Sequence, residues 1–176
     1  MKIYFSAAQI ADAVARTARE INAYYAEVGP EERVTVVASL KGAAIFFADL
    51  VRKLNFPLEI DFVRAASYGN ARESSGDVRL TKDVETPLTG KRVLIVEDLV
   101  DSGRTLAALR RHFIALGASE VKSAVLVKKL APRAEDAPVD FYALEAENLY
   151  LVGYGLDDAE NGRQLPDIWV VEEPAE

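Results

Sequence analysis

Glu97, Asp98 and Asp101, followed at once by Ser102, Gly103, Arg104 and Thr105, are the residues of this chain best suited by type and spacing to do chemistry. Adjacent carboxylates can hold sugar hydroxyls or a hard cation such as Mg²⁺. A short turn rich in hydroxyls and backbone N–H groups, opening a helix, is a favourable seat for a phosphate. Together they suit a ligand that carries hydroxyls and phosphate at once, such as a phosphorylated ribose. Glu97 and Asp98 would then meet the ribose hydroxyls or a metal, and the turn would take the 5′-phosphate. A plain strand-to-helix connection, with Asp101 or Ser102 as N-cap, accounts for one polar residue of the string and leaves the other acids unexplained.

The elements that must position these groups are readable around them. Val93-Leu94-Ile95-Val96 is an apolar run of the kind found in strands covered on both faces, and the acids follow at its carboxyl end. Open α/β sheets bind their ligands at that end. A helix follows over about 104–116. Upstream, Ser6 caps a helix running to about 28, 34–40 reads as a buried strand, 43–54 as a helix and 58–64 as a strand. Another strand is expected over 121–127. Strands alternating with helices predict an α/β fold with a doubly wound, mostly parallel sheet. Between 65 and 81 the periodicity lapses into polar and small residues, which predicts a long mobile loop; such loops inside compact domains are commonly lids.

At 176 residues, half of them apolar, the chain is read as one domain over 1–176. It contains no cysteine, so disulfides and thiolate metal sites are excluded, and its single histidine, His112, falls in a helical stretch. A formal charge of −7 argues against a nucleic-acid-binding face, which relies on a basic surface. Anionic ligands must then be captured locally, by helix termini, a few cations and a bridging metal. The first residues lack the apolar core of a signal peptide and no apolar run is long enough to span a membrane. A cytoplasmic protein with no nucleic-acid or membrane partner is expected.

Four strings in order, Leu40-Lys41-Gly42, Ser67-Tyr68-Gly69, the string from Glu97 to Thr105 and the tail Val152-Gly153-Tyr154-Gly155-Leu156-Asp157, closely resemble the hypoxanthine-guanine phosphoribosyltransferases. The likeness covers nearly the whole chain. The acidic string alone marks type I phosphoribosyltransferases in general, and the other strings narrow it to the 6-oxopurine branch. The resemblance implies the type I phosphoribosyltransferase fold, a twisted sheet flanked by helices with a small hood built from terminal segments. It implies Mg²⁺-dependent transfer of the phosphoribosyl group from phosphoribosyl pyrophosphate to N9 of hypoxanthine or guanine, and assembly as a homodimer or homotetramer. The order of preference among hypoxanthine, guanine and xanthine stays open, because one ring substituent decides it.

By the same resemblance, Glu97 and Asp98 are the ribose- and metal-linked carboxylates, with Asp157 a further metal-linked one. Asp101 is the general base at purine N7. Asp101, Ser102, Gly103, Arg104 and Thr105 form the 5′-phosphate loop. Leu40, Lys41 and Gly42, whose Leu-Lys peptide can be cis, bind pyrophosphate together with Arg163. The purine is held by Lys129, by the stacking ring of Tyr150 and by the backbone carbonyl of Leu151; Lys128 is the competing lysine, and strand alternation turns the two to opposite faces. Ser67, Tyr68 and Gly69 form the lid. Tyr150 replaces the usual phenylalanine, and Ala43 a small glycine or serine of the pyrophosphate loop.

Two readings from other classes compete. The run ending in Glu97-Asp98 is also similar to the acidic pair of a response-regulator receiver, but there it lies near the N-terminus. A phosphoribosyltransferase-fold regulator of pyrimidine genes that binds RNA is the other, and the acidic balance weighs against it. No Gly-x-x-x-x-Gly-Lys-Ser/Thr segment supports nucleoside-triphosphate hydrolysis.

Overall fold

The computed structural model describes residues 1–66, 79–134 and 137–171. Its main sheet has six strands: β2 (Val34–Ser39), β3 (Leu58–Ala66), β4 (Arg79–Lys82), β5 (Arg92–Val100), β6 (Glu120–Lys129) and β7 (Phe141–Ala146), in spatial order β4-β3-β2-β5-β6-β7. Every pairing is parallel except that of the edge strand β4 with β3. A smaller antiparallel sheet, in order β1-β9-β8, joins β1 (Lys2–Phe5), β8 (Leu151–Val152) and β9 (Ile168–Val170) into a hood.

Period-two alternation builds the two cores. Along β5, Leu94 and Val96 pack on one face with α1 (Ala7–Tyr24) and α2 (Ala44–Val51), through Ile10, Val14, Phe46 and Leu50. Val93 and Ile95 pack on the other with Leu106, Leu109 and Phe113 of α3 (Arg104–Ala115). The hood closes the first core with Leu151, Tyr154, Leu156 and Ile168.

This winding fixes where a ligand can go. From β2 the chain passes through α2 outward to β3, and from β5 through α3 outward to β6, so the crossovers part between β2 and β5. Such a switch point leaves a crevice at the strands' carboxyl ends. The loop after β2, Leu40-Lys41-Gly42, and the turn after β5 face each other there, and the Leu40–Lys41 peptide is cis.

Several sequence expectations are corrected in detail. The first helix does carry Ser6 as N-cap in a reciprocal capping box with Gln9, but it ends at Tyr24, not near 28. The helix expected over 43–54 is shorter, because Lys53 and Leu54 close turns onto Leu50 and Val51. The loop expected over 65–81 is narrower: Ala65 and Ala66 continue β3, and Arg79 opens β4, pairing with Ala66. Ser67, Tyr68 and Gly69, the expected lid, lie outside the described residues. Glu97 and Asp98 do not terminate their strand, since β5 runs on to Val100.

Candidate active site

The turn after β5 is made by glycine. Gly103 is the N-cap of α3, with a φ of 78° in the left-handed region that glycine adopts without steric cost. Neither Asp101 nor Ser102 caps the helix, as the simplest reading of the sequence would have it; the Ser102 hydroxyl accepts instead from Arg104 N–H, at 3.4 Å. Asp101, Ser102, Gly103 and Thr105 line a hollow of about 110 Å³ together with Glu97. The first N–H groups of a helix have no partner within it. An anion in this hollow would meet them at the positive end of the helix dipole.

Asp101 is committed elsewhere. Its Oδ2 lies 3.2 Å from the Lys129 ammonium, which also donates to Asn148 Oδ1 at 3.2 Å. The Lys129 side chain is 10% exposed while Asp101 is 54% exposed, so a largely sheltered cation points at an open carboxylate. Lys128 turns the other way, to Glu145 at 2.9 Å and over the ring of Tyr142. Of the two lysines, only Lys129 reaches the crevice.

Glu97 and Asp98 are held back in the crevice wall. Glu97 is 5% exposed and its Oε1 is buried without a hydrogen-bond partner. Burial first, and then the charge of Asp98, push its pKa above the usual carboxylate range against the opposing pull of the Ser39 hydroxyl. Asp98 is also raised by burial; the Leu99 N–H, 2.9 Å from its Oδ1, pulls the other way, as does the charge of Arg163. Gly42 is what admits Asp98: a Cβ built at residue 42 would lie 1.6 Å from Asp98 Oδ2.

The hood supplies the remaining groups. Arg163 donates to the Gly155 carbonyl at 2.8 Å and pairs with Asp157 at 2.7 Å. Gly155, at φ 101°, sits against the Gly42 carbonyl so closely that a Cβ would come within 2.1 Å of it. The hood loop and the cis-peptide loop thus press together on backbone. Lys41, Arg163 and Leu40 line a cleft of about 530 Å³ with Arg64, Ala65, Thr81 and Glu160. Tyr150 is half exposed, and its hydroxyl donates to Asp158 Oδ1 at 3.1 Å. Its carbonyl accepts from Val171 N–H at 2.9 Å. Antiparallel alternation then directs the Leu151 carbonyl to the free edge of the hood sheet.

Arg64, Asn148 and Glu160 were not expected from sequence. Each reaches the crevice by tertiary packing, from strand ends and turns without a local pattern. The only sequence signal is that Arg64 closes the strand expected over 58–64 and Glu160 lies between Asp157 and Arg163.

The phosphoribosyl transferase domain family matches residues 2–159. The hypoxanthine-guanine phosphoribosyltransferase of Aquifex aeolicus is 36% identical over 173 residues, covering 98% of this chain and 96% of that protein. A hypoxanthine-guanine phosphoribosyltransferase crystal structure from Bacillus anthracis superimposes with a TM-score of 0.89 at 36% identity, over 98% of this chain and 99% of that one. A point mutant of the Trypanosoma cruzi hypoxanthine phosphoribosyltransferase, complexed with the product IMP, gives a TM-score of 0.90 at 32% identity, over 98% and 90% of the two chains. This chain belongs to the hypoxanthine-guanine phosphoribosyltransferase family.

The divalent cation that this family implies can be tested against the donor set. Among the described residues no three acidic or histidine side chains converge into a cage, so Glu97, Asp98 and Asp157 are not a ready-made metal site. Mg²⁺ keeps several waters and takes one or two carboxylates together with substrate phosphates, so it does not need such a cage. The orphaned Oε1 of Glu97 and the sheltered carboxylate of Asp98 are hard oxygen donors of the required kind. The residues fit the ion.

Proposed function

We propose that the protein, acting as one domain over residues 1–176, catalyses purine salvage, with the residues of the crevice in the following roles. The enzyme moves the 5-phosphoribosyl group of phosphoribosyl pyrophosphate onto N9 of hypoxanthine or guanine, releasing pyrophosphate. The observation that carries the reading is the pairing of Asp101 with Lys129 beside the α3 N-terminus, which sets an acid, a base and an anion seat in one crevice.

The base lies between the ring of Tyr150 and the crevice wall, stacked on the aromatic face. Lys129 donates to the purine O6, and the Leu151 carbonyl faces the two-position. Asp101 accepts the N7 proton as N9 bonds to the anomeric carbon and the bond from that carbon to pyrophosphate breaks. Positive charge grows on the ribose meanwhile and favours the ionised forms of Glu97 and Asp98 against the burial that raises their pKa, so the two carboxylates stabilise it from a water-poor wall. Ser102, Gly103, Arg104 and Thr105 anchor the 5′-phosphate, so the ribose cannot drift as its bond to the leaving group lengthens. Leu40, Lys41, Gly42 and Arg163 receive the pyrophosphate. Bound Mg²⁺, held by Glu97, Asp98 and, through water, Asp157, would neutralise charge building on the leaving group.

Self-association as a homodimer or homotetramer is what the family resemblance implies, and sedimentation would measure it. No helix among the described residues is long and apolar enough to cross a membrane; the highly charged substrates accord with a cytoplasmic setting.

The test is a spectrophotometric assay of hypoxanthine, guanine and xanthine with phosphoribosyl pyrophosphate and Mg²⁺, with adenine as control. Turnover of a 6-oxopurine but not adenine, abolished by chelator and restored by Mg²⁺, is the expected result. Full activity in excess chelator would remove the metal role of Glu97, Asp98 and Asp157. RNA binding without transferase activity would favour the regulator instead.

A further inference from the structure

The cleft assigned above to pyrophosphate already contains an anion of the protein's own. Glu160 Oε2 lies 2.9 Å from Lys41 Nζ and 3.5 Å from Arg163 Nη2, the two cations meant for the leaving group. The carboxylate lines the same cleft as Leu40, Arg64 and Thr81. Its own pKa is held below the usual range, chiefly by the hydrogen bond from Lys41.

The backbone beneath it is an unusual choice for glutamate. Asp158 and Asn161 exchange hydrogen bonds of 3.0 and 2.9 Å, closing a two-residue turn in which Ala159 and Glu160 have φ of 47° and 69°. Turns with positive φ at both central positions favour asparagine and glycine. Glutamate pays a conformational cost at such a position, one that its side chain can offset only through what it reaches. The Glu160 N–H also donates to Asp157 Oδ2 at 2.8 Å, which ties the turn to the carboxylate that pairs with Arg163. The turn therefore aims this side chain between the two cations.

We infer that Glu160 is an internal stand-in for pyrophosphate: it bridges Lys41 and Arg163 while the cleft is free and must swing out when pyrophosphate, or the pyrophosphate end of the ribosyl donor, arrives. The inference rests on the assignment of this cleft to pyrophosphate. The Glu160 side chain is 64% exposed, so it can leave into water without crossing packed protein. Exposed ion pairs are weak, and a weak pair keeps two cations arranged for a bidentate anion yet yields to a ligand of greater charge. Competition of this kind lowers pyrophosphate affinity and hastens its departure. Where release limits turnover, that raises kcat.

The experiment is calorimetric titration of pyrophosphate, at saturating Mg²⁺, into the wild-type protein and into Glu160→Gln. The expected result is binding about three- to tenfold tighter in the variant, within what the two exposed ion pairs of Glu160 give together. Product inhibition by pyrophosphate should strengthen by the same factor, with affinity for the nucleotide product unchanged. Glu160→Gly, which suits the left-handed backbone, should behave like the glutamine variant and guards against a misfolded turn. Unchanged or weaker pyrophosphate binding in both variants would overturn the inference, because Glu160 would then be positioning Lys41 rather than competing with the ligand. Failure of the wild-type protein itself to bind pyrophosphate would overturn the assignment of the cleft, a result separable from the first because it appears without any substitution.

Discussion

Asp61 and Glu97 stand on the two strands that flank β2, at 6% and 5% exposure, and the protein treats these equally buried acids in opposite ways. Asp61 is saturated. It accepts from the N–H groups of Phe62, Glu85 and Thr86 at 2.7, 2.8 and 2.7 Å, pinning the chain after β4 to β3. Burial alone would raise its pKa, but these backbone donors outweigh burial and hold it below the usual range. Glu97 keeps one oxygen buried without a partner, and its pKa is raised. Buried polar groups are ordinarily satisfied. One acid completes the fold; the other is left unsatisfied at a place where a ligand can complete it.

The contrast is sharpest at the turn that extends the Glu97 strand, where the largest effect is expected. Asp101→Asn should lower kcat by roughly 10²–10⁴-fold, the range for loss of a general base, with nucleotide binding largely kept. Steady-state rates across pH would check it. Near-normal turnover at every pH would reduce Asp101 to a partner of Lys129 in a structural ion pair.

Gly42→Ala probes the same region through backbone contact. The backbone of residue 42 is not in the left-handed region, so the new methyl acts only by displacing Asp98, whose Oδ2 would lie 1.6 Å away. Displacement of a positioned group by about 1 Å can cost on the order of 10²-fold in rate. That loss is expected in kcat/KM for phosphoribosyl pyrophosphate, with melting little altered. An active variant would show that the place of Asp98 does not matter.

Lys129→Met should raise KM for the purine by roughly 10- to 100-fold, what a hydrogen bond from a charged donor is worth. Lys128→Met should leave it nearly unchanged, since that side chain faces Glu145 and Tyr142. Equal effects in the two variants would dissolve the distinction between the faces of β6.

Much of this arrangement was legible in the chain itself, and unevenly so. The elements around β2, β5 and α3 stand out because they are long, apolar and punctuated by glycine, and a long period is a strong signal. The hood is hidden for the opposite reason: β1, β8 and β9 have 4, 2 and 3 residues, too few to show a period, and they meet from opposite ends of the chain. β4 is masked because its side chains alternate only between exposed and half-buried positions on an edge. Asp101 looked like a helix cap because capping is local, whereas its actual partner, Lys129, is 28 residues away in sequence. Arg64 and Glu160 are hard to read from sequence on the same ground, since charge in a cleft is created by tertiary packing.

The smallest expected effect tests the opening contrast directly, through stability rather than rate. The lowered pKa of Asp61 means that its contribution is present above the ordinary aspartate value, near 3.9, and is lost as pH falls through the lower native value. At neutral pH, Asp61→Asn should therefore destabilise by about 1–3 kcal/mol, leaving backbone donors poorly paired, and lower Tm by roughly 3–10 °C. The gap should close in acid. For Glu97 the sign reverses. A raised native pKa gives a contribution fully present below the ordinary glutamate value and lost as pH rises through the raised one. Without Mg²⁺ the wild-type protein should soften toward alkaline pH while Glu97→Gln does not, gaining about 0.5–2 kcal/mol over wild type there, as substitutions that relieve a strained functional site commonly do. Added Mg²⁺ should stabilise wild type and leave the variant behind, because only the carboxylate gains a partner. Melting curves of both variants at acid, neutral and alkaline pH, with and without the ion, separate the cases. If Glu97→Gln destabilised the protein at every pH in the manner of Asp61→Asn, Glu97 would be an anchor of the fold, and the two acids would be alike after all.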